Sequence, residues 1–161
     1  MEYESASSVA TSQELPFIDE HCVTIAASAE ATWSGLRSVP AGFEGRGKGL
    51  FARALGCADV AVTAADPLQV GSTCPGFHVT EASAPATLFL EGRHKFSRYA
   101  LNFRVERTSA TESRLCAETR AEFPGIHGKL YRSLVIGTRL HVVVVRDILR
   151  MVKRRAERPS A

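Results

Sequence analysis

An α+β fold, with a strongly curved antiparallel sheet wrapped around one long C-terminal helix, is what this sequence predicts, on three observations. Apolar positions recur at the helical period from Gly125 to Arg155. They recur at the strand period in successive segments between Phe77 and Phe123. After a first strand, two segments stopped by Pro40 and Gly56 read as short helices.

The C-terminal stretch is the organising element. At about 1.5 Å of rise per residue it makes a rod of roughly 45 Å, as long as a small domain is wide. Seven-residue steps, nearly two turns, reveal its faces. His127, Leu134, His141 and Ile148 form one row, beside Leu130, Gly137, Val144 and Met151 and beside Tyr131, Thr138, Val145 and Val152. Opposite them lie Arg132, Arg139, Arg146 and Lys153. A helix apolar on one side and cationic on the other lies on a core rather than inside one.

Ahead of it the elements follow in order. Residues 1–15, rich in Ser, Ala, Thr and Glu, read as a disordered or loosely attached leader. A single domain spans 16–156, and 157–161 form a short basic tail. Phe17 to Ala26 alternates as a strand, with His21, Val23 and Ile25 on one face. Ser28 caps a helix to about Ser38, with Ala29, Trp33 and Leu36 inward and Glu30 in its first turn. The glycine-rich run Gly42 to Gly49 nearly spells a phosphate-binding loop, but Gly49 stands where that loop needs a hydroxyl and the run follows a helix; it reads as a connector. Leu50 to Gly56 is the second short helix and Asp59 to Thr63 a strand. Further strands are Phe77 to Ala82, Thr87 to His94, Arg98 to Glu106 and Arg114 to Phe123. In the last two, one face is apolar and the other is charged and wet.

Composition limits the function classes. With 161 residues, 45% hydrophobic and 23% charged, the chain can bury a core without staples. No apolar run reaches the eighteen or so residues of a membrane span, and Met1 to Leu36, without Lys or Arg, does not resemble a signal peptide. A cytoplasmic location is expected. Cys22, Cys57, Cys74 and Cys116 lack metal-ligand spacing and are expected as buried or half-buried thiols. No metal and no cofactor are expected.

This order of elements resembles the SRPBCC superfamily, also called START-like or helix-grip. The resemblance covers about Phe17 to Arg155, with local stretches Leu88 to Leu101, Glu118 to Gly125 and Leu130 to Thr138 similar to a bacterial subgroup without assigned activity. It implies a helix-grip fold and a cavity between helix and sheet that takes a lipid, polyketide or other apolar or amphipathic molecule. Fold alone does not fix function.

Within that frame, Trp33, Tyr99, Phe103, Thr119, Tyr131 and His141 are the candidate lining. His141, on the apolar face, is the candidate catalytic residue, a proton carrier for a cyclase or dehydratase without metal or covalent intermediate; the bland reading is a core histidine bonded to a backbone carbonyl. His94 and Arg93 read as a solvated turn. No nucleophile triad or carboxylate pair is visible. The arginine row, continued by Arg154, Arg155 and Arg158, reads as a solvated face; a non-enzymatic module touching an anionic surface is the alternative, with no specific nucleic acid and no membrane insertion. The chain is expected as a monomer or homodimer.

Overall fold

Alternating apolar residues build one six-stranded antiparallel sheet in the computed structural model, which describes residues 14–39 and 66–158. The strands are β1 (Phe17–Ile25), β2 (Thr73–Cys74), β3 (Phe77–Ser83), β4 (Thr87–His94), β5 (Ser97–Arg107) and β6 (Ser113–Glu122), in spatial order β1-β6-β5-β4-β3-β2. The first strand thus pairs with the last. Register places Phe103 opposite Leu88 on one side and Ala117 on the other, all fully buried, so the alternation read from β5 continues across three strands.

Helix α1 (Ala29–Leu36) starts where Ser28 Oγ accepts the Ala31 N–H at 3.2 Å. Its contact with the C-terminal helix is close at Gly35, where a β-carbon would lie 3.1 Å from the Val152 carbonyl. Thr32, buried there, shares a 2.7 Å hydrogen bond with Ser113. Trp33 packs half-buried against the same core.

The expected single long helix is two. Helix α2 (Gly125–Val135) and helix α3 (Leu140–Ala156) are separated by Ile136–Arg139, with Arg139 in the left-handed region at φ 58°. The residues explain the break. Ser133 Oγ bonds back to the Lys129 carbonyl and Thr138 Oγ1 to that of Leu134, contacts that bend helices. A β-carbon on Gly137 would lie 2.3 Å from the Ser133 carbonyl. Only α3 follows the amphipathic expectation: Val145, Ile148, Leu149 and Val152 join Ile25, Phe103, Val105 and Leu115 in the core. Full burial of such side chains contributes about 1.5–3 kcal/mol each. In α2 the only buried residue is Gly128, and Ile126, Leu130 and Leu134 are exposed.

Two further expectations are corrected. The outer face of β5 and β6 is not simply wet, because Asn102 and Glu118 are buried, Glu118 between the guanidinium groups of Arg104 and Arg120. Cys22 and Cys116 are not thiols but a disulfide, being directly opposite each other on β1 and β6. Thr73–Cys74 forms a short strand with Phe77 and His78. Cys74 is buried and lies outside the disulfide. At the ends, Leu15 is buried and the Pro16 carbonyl accepts from Ala121. The expected Leu50–Gly56 helix, the Asp59–Thr63 strand, Cys57 and the leader up to residue 13 lie outside the described residues.

Candidate functional site

On the inner face of the sheet, beneath the break between α2 and α3, an acidic side chain holds two imidazoles. Asp19, His21, Val23 and Ile25 share one face of β1, and a bulge between Phe17 and Asp19 sets Asp19 directly across from Thr119 of β6. His141, in the first turn of α3, brings Nε2 to 2.7 Å from Asp19 Oδ2. His21 Nε2 reaches the same oxygen at 3.2 Å. The other nitrogen of His141 faces the Val135 carbonyl at 3.4 Å. Both His141 nitrogens therefore meet acceptors, an arrangement satisfied in full only when both carry protons.

Burial raises the Asp19 pKa, but the hydrogen bond and charge of His141, helped by His21 and by the nearby Thr119 hydroxyl dipole, outweigh it and hold the carboxyl below its ordinary value. The Thr119 hydroxyl lies on the carboxylate side, yet neither Thr119 Oγ1 nor Asp19 Oδ1 completes a hydrogen bond of ordinary geometry, and both are buried. Buried oxygens without partners are costly and uncommon. They offer two hydrogen-bonding positions to an incoming polar group.

An aromatic cluster occupies the other end of the same face. Tyr131 of α2 stacks on Phe96 at 5.7 Å and meets His94 edge-on at 4.7 Å. Tyr99 packs on Phe77 at 5.1 Å and donates its hydroxyl to the Gly76 carbonyl at 2.7 Å. Gly92 makes room for that ring: a β-carbon there would lie 2.5 Å from Tyr99 Cε2. His94, expected in a solvated turn, is half-buried in this cluster. Its Nδ1 accepts the Phe96 N–H at 3.1 Å and its Nε2 meets Ser97 Oγ at 3.1 Å, so the neutral ring carries its proton on Nε2. Burial lowers its pKa.

The six candidate residues thus fall in three places. Thr119 and His141 meet at Asp19; Tyr99 and Tyr131 meet in the aromatic cluster; Phe103 and Trp33 belong to the core. Sequence reasoning missed Asp19, although its parity with His21 placed both on the inner face. A hollow of about 10 Å³, lined by Val39, Leu68, Cys74, Val79, Leu88 and Leu90 among others, lies under β2 to β4 and has room for a water at most. The arginine row is not one stripe: Arg139 sits in the break, and Lys153 turns to the sheet, donating to the Thr24 carbonyl at 2.6 Å and pairing with Glu157 at 3.0 Å.

No family model matches the chain, and no curated protein matches it in sequence. Solved structures do. Norcoclaurine synthase from Thalictrum flavum, solved in complex with dopamine and hydroxybenzaldehyde, is 16% identical with a TM-score of 0.55, covering 89% of this chain and 88% of its own. A solution structure from Thermobifida fusca is 15% identical with a TM-score of 0.52, covering 88% and 96%. A conserved protein from Geobacillus kaustophilus is 13% identical with a TM-score of 0.50, covering 85% and 93%. At such identities the likeness shows the fold: an α+β chain with, among the described residues, six antiparallel strands and three helices, consistent with the helix-grip architecture.

Proposed function

We propose that this protein binds an apolar or amphipathic small molecule of lipid, polyketide or aromatic type between its C-terminal helices and the inner face of the sheet. The polar end sits at Asp19, His21, Thr119 and His141, and the apolar body lies along Tyr99 and Tyr131. The observation that carries this reading is the pair of buried, unpartnered oxygens, Asp19 Oδ1 and Thr119 Oγ1, beside two imidazoles on an otherwise apolar face. A fold shared with a synthase solved with two small aromatic molecules supports it. The ligand enters as α2, held by little packing of its own, lifts about the break at Gly137. No described helix is long and apolar enough to cross a membrane.

The shared carboxylate favours one second reading, a cyclase or dehydratase. Asp19 stabilises a protonated His141, which delivers a proton to a carbonyl or hydroxyl oxygen of the bound molecule. His21, neutral, accepts a proton from the adjacent carbon, so no net charge builds up. Binding is tested with 8-anilinonaphthalene-1-sulfonate and by native mass spectrometry of gently purified protein. Dye uptake that a copurified ligand displaces, reduced at least ~10-fold in Asp19→Asn and His141→Leu, is expected. A folded protein that takes up neither dye nor cellular ligand would end both readings.

A further inference from the structure

We propose that the outer face of the sheet carries a redox-gated site for a soft divalent cation such as Zn²⁺, formed by Cys22, Cys116 and Glu20 once the disulfide is reduced. Ninety-four residues separate the two cysteines in sequence, so no ligand spacing betrays them. The β1–β6 register sets them directly opposite, with Glu20 two residues from Cys22 on the same face. One donor atom from each of the three lies within 4.8 Å of the others. Tetrahedral zinc, with Zn–S near 2.3 Å, wants its donors about 3.5–3.8 Å apart. Side-chain rotation alone closes that difference when the sulfurs are no longer bonded.

The surroundings suit a reversible site. Cys22 and Glu20 are exposed, so reductant and metal have access from solvent. The strands stay paired without the disulfide, because ladder pairs run on both sides of it from Asp19 to Ile25. Glu20 is held by Arg104, which also pairs with Glu118 at 3.5 Å. When a metal takes the Glu20 carboxylate, Arg104 keeps a partner. Reduction by an external dithiol breaks the S–S bond, places two electrons and two protons on the sulfurs and oxidises the reductant to its disulfide. The cation then displaces the two thiol protons, and water completes a four-coordinate, open site. Oxidation reverses the sequence by removing both thiolate ligands. This site is on the opposite face from the Asp19 cluster and does not depend on the ligand-binding reading.

The test uses the full chain carrying Cys57→Ser and Cys74→Ala, so that only Cys22 and Cys116 remain. It is compared reduced and oxidised by equilibrium dialysis against Zn²⁺ with elemental analysis, and by Co²⁺ absorption. The reduced chain is expected to take up one metal per molecule and to show thiolate-to-cobalt charge transfer with tetrahedral bands. Oxidised protein and Cys22→Ser should lose at least ~100-fold in affinity, and Glu20→Gln about 10-fold or more. Circular dichroism confirms that each sample is folded. Folded, reduced protein that binds no metal would overturn the proposal, and so would binding unchanged by oxidation or by Cys22→Ser.

Discussion

Replacing Asp19 by Asn keeps the shape of the polar cluster and removes its charge. Hydrogen bonds to charged groups contribute about 1.5–3 kcal/mol when buried, against about 0.2–1 kcal/mol for exposed pairs. His141 and Asp19 are 12% and 23% exposed in their side chains, so their 2.7 Å bond lies nearer the buried value. His21 competes for the same oxygen at 3.2 Å and adds little. A loss of about 1.5–2.5 kcal/mol at pH 7 is expected, or roughly 3–10 °C in melting temperature for a chain of this size. The pH dependence has a defined sign. Because the folded pKa of Asp19 lies below the unfolded value near 3.8, its contribution is fully present above that pH and disappears as pH falls through the folded pKa. The gap between wild type and Asp19→Asn should therefore close in acid. Thermal melts from pH 7 to pH 2.5 measure it. A variant that melts with wild type at pH 7, or a gap that persists undiminished at the acid end, would refute the reasoning.

Other expectations follow from the same geometry. His94 is held neutral by burial, so its contribution to stability is fully present above about pH 6.5 and is lost as pH drops through the unfolded pKa toward the lowered folded one; His94→Gln should flatten that limb in urea titrations at pH 7.5 and 5. Phe103→Ala, at a fully buried position, should cost about 3–5 kcal/mol in urea unfolding. A much smaller loss would show that Phe103 lines a ligand space. Gly137→Ala puts a methyl group against the Ser133 carbonyl and should destabilise by about 1–3 kcal/mol, read by the same titration. Leu130→Gln, on the exposed face of α2, should stay within about 0.5 kcal/mol of wild type.

Wherever neighbouring residues decide a structure, the sequence by itself was sufficient. The alternation in Tyr99, Leu101, Phe103 and Val105 marked β5 and its inner face; Ser28 marked a helix start; Val145, Ile148 and Val152 marked the buried side of α3. Each is a local periodicity or cap, imposed by backbone geometry over a few residues. The same periodicity ran unbroken through Gly137, and there it misled. Side-chain period records which face a residue prefers, but not that Ser133 and Thr138 would draw their hydroxyls back onto the helix backbone. What only the tertiary structure decided is who meets whom across long separations. Asp19 reaches His141 over 122 residues and Cys22 reaches Cys116 over 94, both through the single register that pairs the first strand with the last. That register follows from strand order and from the bulge beside Asp19, collective choices of the whole sheet that no short stretch of the chain encodes.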